Sequence, residues 1–178
     1  MMLTDEILIG VLSGTAGILV KSVWDYVVSK QQERESLALY KRVERLERQL
    51  SEFYWPVYLR LQKDNAVWAK ILDKHHGDDD LRKAVGHEIE MTTILPNHDE
   101  IVNIIETKSH LAEPDEKLLG LLQQYLRHIA IYKAMRNAGC YDKDPIYLGE
   151  PWPAELFPII EERTQSLQKQ YEAYLKTR

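Results

Sequence analysis

One set of residues has types and spacing that suggest chemistry, namely His128, Tyr132 and Arg136. Successive members are four positions apart, so all three lie on one face of a helix. The guanidinium of Arg136 could grip a phosphate with two donors, while the aromatic rings could stack on a base. Tyr132 also lies, with Tyr125, on the apolar stripe of the same predicted helix. The spacing therefore predicts either a ligand-binding face or core packing, and packing is the favoured interpretation.

Histidines and carboxylates form a second group that could bind a ligand, in this case a metal ion. Its members are His87, Glu88, Glu90, His98, Glu106, His110 and His128. Glu106 and His110 lie one helical turn apart and could share a metal inside a helical bundle. A di-metal site normally carries Glu-x-x-His on two helices, and the sequence does not contain that pattern. We therefore expect structural or surface histidines, with no metal and no other cofactor.

Arg82 and His87 form an R-x4-H pattern at the start of a predicted helix. The pattern resembles the R-x4–6-H motif of HEPN helical ribonucleases. That resemblance implies that His87 acts on the ribose 2′-hydroxyl or the leaving group and Arg82 on the phosphate. It also implies that two protomers compose one site. The nucleophile elbow, the P-loop, the dinucleotide-binding glycine motif and paired-cysteine zinc spacings are all missing from the sequence.

The stretch from Ile7 to Val28 dominates the N-terminal part of the chain and begins with an uncharged, mostly apolar run to Val20. At about 1.5 Å per residue it reaches roughly 33 Å, enough to cross a hydrocarbon core of about 30 Å. The uncharged run alone is shorter than the roughly 18 residues of a secure span, so a buried or interfacial helix is the alternative. We predict a single N-terminal transmembrane helix within residues 1–30. Asp5 and Glu6 before the run argue against a cleaved signal peptide.

Lys21 and Asp25 are the charged residues inside this stretch, and on a helix they lie on one face and can pair. One interpretation places them against a bundle interior or a water-filled passage that they line or gate. The other places them at headgroup depth, with Lys21 extending to the interface and with Trp24 and Tyr26 in an aromatic belt. Basic residues after the stretch and acidic residues before it predict that the remainder of the chain is cytoplasmic.

Small residues recur along the same stretch at helical spacing. Gly10 and Gly14 make a G-x-x-x-G pair, and Ser13 and Gly17 make a second small-x-x-x-small pair. Such pairs let helices approach closely in a membrane. The two overlapping pairs predict a span that packs against copies of itself.

Length, charge and cysteine content limit the classes of protein that this chain can be. The chain has 178 residues, so residues 31–178 correspond to one domain. A net charge of −5 gives no basic field for nucleic acid, and we expect no direct contact with it. Cys140 is the single cysteine, which excludes a disulfide framework and suits a reducing cytosol.

Apolar residues recur at helical periods through residues 31–178, without strand-like alternation, and predict an all-α bundle of five to six helices. The first seam has heptad spacing and comprises Leu39, Val43, Leu46, Leu50, Phe53 and Val57. Pro56 is predicted to break or kink a helix at Tyr54 and Trp55, and Pro96 is predicted to end one at about Leu95. Pro114 and Asp115 are predicted to start a helix that ends at Gly139. The other residues predicted to face the core are Leu61, Trp68, Ile71, Leu72, Ile101, Ile104, Ile105, Leu118, Leu121, Leu122, Tyr125, Leu126, Ile129, Tyr132, Leu156, Ile159, Ile160, Leu167 and Tyr171.

The whole architecture resembles the small accessory membrane protein of type VI-B CRISPR systems. The resemblance rests on a short chain, one N-terminal span, a helical bundle, and the degenerate R-x4-H at Arg82 and His87. It implies an oligomeric pore, assembled as a ring in the bacterial inner membrane, that contacts lipid and depolarises the cell. It also implies functional coupling to an RNA-guided CRISPR nuclease in anti-phage defence.

Two alternatives belong to other classes of protein. The first is a membrane-tethered HEPN-type ribonuclease, although an enzyme is not the leading expectation. The second is a membrane-anchored module that binds a ligand or partner through the face of His128, Tyr132 and Arg136. The second alternative predicts a monomer or dimer without ion conductance.

Overall fold

The computed structural model describes residues 3–72 and 85–176, and for residues 3–20, 22, 23, 71 and 72 it describes the backbone alone. Every regular element in these ranges is helical, which confirms the all-α prediction. The α-helices are α1 (Leu3–Gln49), α2 (Trp55–Val67), α3 (Leu95–Ala112), α4 (Glu116–Asn137) and α5 (Leu156–Lys176). Three π-helical turns (Leu50–Tyr54, Trp68–Leu72, Glu90–Ile94) and one 3-10 turn (Pro145–Leu148) accompany these helices.

The π-turns join segments that the sequence predicts to be separate helices. α1 continues through the first π-turn into α2, and residues 85–89 continue through the third π-turn into α3. The described ranges therefore form four continuous helical rods, fewer than the five to six helices expected.

Pro96 does not end a helix, so that prediction is wrong. At Pro56 the chain also stays helical instead of breaking, and a π-turn directly precedes the segment that contains it. A proline lacks an N–H group, and its ring clashes with the carbonyl four residues earlier in an α-helix. A π-turn ends two residues before each proline. In these turns the N–H of Trp55 donates to the Leu50 carbonyl and the N–H of Leu95 to the Glu90 carbonyl, five residues back. Because the wider turn changes the hydrogen-bond register, each proline falls in the first turn of a new α-helical segment, where its ring is tolerated.

The chain divides into two compact units, residues 1–44 and 45–178, with the division inside α1. In the first unit Lys21, Trp24, Asp25 and Tyr26 all have exposed side chains. Short-range polar pairs run along its helix surface. One example is Lys30 Nζ, which lies 2.7 Å from Glu33 Oε2.

The predicted transmembrane span draws no support from the structure and stays a prediction. Across the helices that the structure describes, none combines the length and the apolar character needed to cross a membrane. Of the predicted span, the side chains of residues 7–20, 22 and 23 lie outside the described part. The packing positions Gly10, Ser13, Gly14 and Gly17 fall within that range.

The second unit contains a core built from α2, α3, α4, α5 and the first π-turn. Most of the predicted core stripe is buried in it, and the side chains exposed by 1% or less include Phe53, Val57, Leu61, Ile101, Leu118, Leu122, Tyr125, Ile129, Leu156 and Ile160. Trp68 is an exception, because it was predicted to face the core and is 47% exposed. The predicted inward positions 71 and 72 lie outside the described side chains.

The two ends of α4 follow their sequence signals. Asp115 is the N-cap, and its carboxylate accepts a hydrogen bond from the Leu118 N–H at 2.8 Å. At the other end Gly139 has φ of +76°. The N–H groups of Gly139 and Cys140 donate to the carbonyls of Arg136 and Met135. These paired bonds make a Schellman motif, which favours glycine at this position.

Candidate functional site

A cavity of about 380 Å³ lies among α2, α3, α4 and the segment between α4 and α5. Its volume falls in the range of small-molecule sites, roughly 300–1,000 Å³. The residues that line it are Asp64, Asn65, Trp68, Ile94, His98, His128, Tyr132, Asp144, Ile146 and Trp152. Helical rods hold most of these side chains, so the walls of the cavity rest on regular structure.

The carboxylate of Asp64 lies at this cavity and accepts no hydrogen bond. Its side chain is 9% exposed. In the described part of the chain neither Oδ1 nor Oδ2 has a hydrogen-bond partner. Burial raises the pKa of Asp64 and the nearby Asn97 amide lowers it, but the hydrogen bond that the Asn97 Nδ2 makes goes to the Arg60 carbonyl, at 2.9 Å. Leaving a buried acceptor unpaired costs about 1–3 kcal/mol, and more for a charged group.

His98 lies beside Asp64 without satisfying it. The distance from His98 Nδ1 to Asp64 Oδ2 is 3.3 Å, while the distance from Nδ1 to the Tyr125 hydroxyl is 2.8 Å. Burial raises the pKa of the Tyr125 hydroxyl well above its usual value, so this group keeps its proton and is the hydrogen-bond partner of Nδ1. Nδ1 is therefore engaged with Tyr125 and makes no hydrogen bond to Asp64.

Burial moves the protonation of this pair towards the neutral forms. It raises the pKa of Asp64 to about 6, with partial opposition from Asn97. It also lowers the pKa of His98 to about 4, and the neighbouring His128 adds to that effect. Between about pH 4 and 6 the pair therefore holds one proton, and above this range Asp64 is an unpaired anion.

Aromatic rings surround the pair and form the cavity wall. The Trp152 ring centroid lies 5.9 Å from that of His98, 5.5 Å from Tyr125 and 5.2 Å from His128. The His128 and Tyr132 rings stack with centroids 6.4 Å apart.

A second polar cluster, formed by Glu90, Tyr132 and Arg136, lies next to the cavity. Arg136 is 5% exposed. Its Nε donates to Glu90 Oε1 at 2.6 Å, and its Nη1 donates to the carbonyls of Cys140 and Lys143 at 2.6 and 2.8 Å. The Tyr132 hydroxyl also donates to Glu90 Oε1, and the guanidinium carbon lies 4.4 Å from the Tyr132 ring centroid. This cluster satisfies its own donors and acceptors.

The predicted stripe of His128, Tyr132 and Arg136 is thus divided between two environments. His128 and Tyr132 reach the cavity wall, and His128 Nδ1 lies 3.0 Å from the Glu150 carbonyl oxygen. Arg136 is not among the lining residues, and its guanidinium is bonded to Glu90 and to backbone carbonyls. The Nε and Nη1 donors of Arg136 are therefore already used within the protein and are not free to bind a phosphate.

The other candidate residues do not meet in one place. Arg82 lies outside the described residues, and His87 is exposed, with its ring 4.8 Å from that of Tyr141. The R-x4-H site therefore stays a prediction. Glu106 and His110 are both exposed on α3. Among the described residues no cluster of three or more His, Cys, Asp or Glu side chains could hold a metal ion.

Asp64 is the residue of this site that sequence reasoning missed, although a signal was present. Val57, Leu61, Asp64 and Trp68 are spaced by 4, 3 and 4 positions, which is the spacing of a core-facing helical stripe. An acidic residue on such a stripe is unusual, since aspartate is almost never fully buried without a partner.

Comparison of the chain with models of protein families, with curated proteins and with solved structures finds no match.

Proposed function

We propose that the second unit is a helical module that binds a small molecule in the cavity beside Asp64. The observation that carries the proposal is a carboxylate, nine-tenths buried, that opens on a cavity and receives no hydrogen bond. A ligand with a donor group would satisfy this carboxylate and remove the penalty of leaving it unpaired.

The surrounding architecture supports the same function. A convergent polar group within mostly apolar, aromatic walls is the usual composition of a small-molecule site. The neighbouring cluster of Glu90, Tyr132 and Arg136 holds the third π-turn, α4 and the following loop together. It therefore supports one wall of the cavity from behind.

A fragment screen by ligand-observed NMR on the full chain in mild detergent tests the proposal. Asn65 lines the cavity from α2 and is exposed, so Asn65→Tyr should obstruct the cavity without disturbing the core. Gln62→Tyr is the matched control, because Gln62 is exposed on the same helix and does not line the cavity. We expect fragments whose saturation-transfer signal disappears in Asn65→Tyr and persists in Gln62→Tyr.

Two results would oppose a ligand site in this cavity. One is a screen without bound fragments. The other is a set of bound fragments that Asn65→Tyr leaves unchanged, because these would bind elsewhere on the protein.

A membrane-anchored oligomeric pore, similar to the accessory protein of type VI-B CRISPR systems, is the second candidate function. The uncharged run of residues 7–20, with its two small-residue pairs, favours it. In this proposal Gly14 packs between neighbouring spans, and Lys21 and Asp25 line or gate the passage. The ring contacts lipid and acts together with an RNA-guided nuclease.

Native mass in mild detergent, together with dye leakage from proteoliposomes, tests the pore. A closed ring of several copies that leaks dye is the expected result, and Gly14→Leu should abolish both assembly and leakage. Gly120→Leu is the control, since Gly120 is an exposed helical glycine in α4 with no atom within 4 Å of an added Cβ. A monomer or dimer without leakage would exclude the pore and leave the binding module unaffected.

A further inference from the structure

The charges that line the cavity have one sign. Two of the described lining residues are aspartates, Asp64 and Asp144, and none is lysine or arginine. Arg136 is bonded to Glu90 at 2.6 Å and lies 3.7 Å from Asp144, but it is not among the lining residues. An anionic ligand such as a phosphate would meet the unpaired carboxylate of Asp64 here, whereas a cation would be attracted.

The walls provide a second form of attraction for a cation. Trp68, Trp152 and Tyr132 line the cavity with large aromatic rings, and the faces of such rings attract ammonium and guanidinium groups. Tyr132 already has the guanidinium of Arg136 over its ring, 4.4 Å from the centroid. Trp68, which is 47% exposed, and Trp152, which is 37% exposed, keep ring surface free for a ligand.

On the basis of the ligand-binding function proposed above, we propose that the ligand is a protonated amine with an apolar body. The ammonium N–H groups donate to the two oxygens of Asp64, and the apolar body packs between the tryptophans. An amine with N–H donors is favoured over a quaternary ammonium, because both Asp64 oxygens lack donors and the adjacent His98 Nδ1 is bonded to the Tyr125 hydroxyl.

Three probes that share a phenyl ring but differ in charge test whether a positive charge strengthens binding. They are 2-phenylethylamine, 2-phenylethanol and 3-phenylpropionate, titrated by NMR into the full chain in mild detergent at pH 7.5. We expect the amine to bind about tenfold tighter than the alcohol, and the carboxylate to bind weakest. A charge-assisted hydrogen bond is worth about 1.5–3 kcal/mol, and a factor of ten in affinity corresponds to about 1.4 kcal/mol.

Asp64→Asn should reduce amine affinity to that of the alcohol and leave alcohol affinity unchanged. Unchanged alcohol binding shows that the cavity of the variant is still folded. Asp142→Asn is the matched control, because it removes the same charge from an exposed residue that does not line the cavity. Its amine affinity should equal that of the original chain.

The outcomes separate this inference from the function on which it rests. Equal affinity for amine and alcohol, or an Asp64→Asn chain that binds the amine as before, overturns the cationic ligand and leaves a ligand site in place. The same holds if all three probes fail while other fragments bind and are displaced by Asn65→Tyr. The absence of all binding overturns both.

Discussion

The Glu90–Tyr132–Arg136 cluster and the Asp64–His98 pair are both buried beside the same cavity. They differ in how fully their polar atoms are hydrogen-bonded. Arg136 donates to one carboxylate and two backbone carbonyls, and Glu90 accepts from both Arg136 and Tyr132. Asp64 accepts no hydrogen bond, and Nδ1 of its neighbour His98 is bonded to the Tyr125 hydroxyl instead. The first cluster is complete within the protein, and the second needs a donor from outside it.

This difference separates a structural role from a functional one. A fully satisfied buried network specifies one arrangement of the segments that it joins. An unsatisfied buried charge lowers stability, and proteins retain such costs mainly at functional sites. The comparison assigns Glu90 and Arg136 to the scaffold and Asp64 to ligand binding.

The largest effect is expected from removing Glu90. Glu90→Ala leaves the Arg136 charge buried beside Tyr132 without its carboxylate, so the free energy of unfolding should fall by about 3–5 kcal/mol. Urea denaturation followed by circular dichroism at pH 7.5 measures the change.

Asp99→Ala provides the control for this prediction. Asp99 pairs with Lys133 on the same two rods, but its side chain is 51% exposed. Solvent weakens such a pair, so we expect a loss below about 1 kcal/mol. If Glu90→Ala costs no more than Asp99→Ala, the cluster is not part of the scaffold and the contrast with Asp64 is lost.

The sequence correctly predicted helix ends that depend on residues within one helical turn of each other. Asp115 and Gly139 mark the ends of α4 as expected, because an N-cap and a left-handed C′ residue act within one helical turn. Pro96 was wrongly predicted to end a helix, and Pro56 does not break the helix that contains it. A π-turn changes the hydrogen-bond register two residues before each proline, and the rule that proline ends a helix does not include this possibility.

The candidate site was less predictable, because its contacts join residues distant in sequence. Glu90 and Arg136 are separated by 46 positions, so the sequence shows a carboxylate and a guanidinium without showing that they pair. His128 and Tyr132 were identified as a possible binding face and do reach the cavity. The acidic residue opposite them, Asp64, was marked only by its position on an apolar stripe.

The second prediction concerns the pH dependence of Asp64. Its folded-state pKa of about 6 lies above the usual value of 3.8, so the folded state binds this proton more tightly than the unfolded state. The resulting stability is fully present below pH 3.8 and is lost as the pH rises through 6. At pH 8 Asp64→Asn removes the buried charge and should raise the free energy of unfolding by about 1–2 kcal/mol. At pH 4.5 the gain should be much smaller.

Urea denaturation of both chains at pH 8 and pH 4.5 measures this difference. The other titratable groups around Asp64, which include Lys63, His98, Tyr125, His128 and Asp144, are present in both chains, so their direct contributions largely cancel in the comparison. A destabilised Asp64→Asn chain at pH 8 would show that the carboxylate has a partner in the folded protein. The site would then resemble the Glu90 cluster instead of contrasting with it.

The smallest effect is expected at Asp144, which lies between the two clusters. Its Oδ1 is 3.7 Å from Arg136 Nη2, it lines the cavity, and its side chain is 56% exposed. Arg136 already has closer acceptors and solvent screens an exposed carboxylate, so Asp144→Asn should change stability by less than about 0.5 kcal/mol. For the same reason it should weaken 2-phenylethylamine binding by less than about threefold, well below the effect of Asp64→Asn. Urea denaturation and NMR titration measure these values. A loss of stability comparable to that of Glu90→Ala, or a loss of amine affinity comparable to that of Asp64→Asn, would mean that Asp144 couples the two clusters electrostatically.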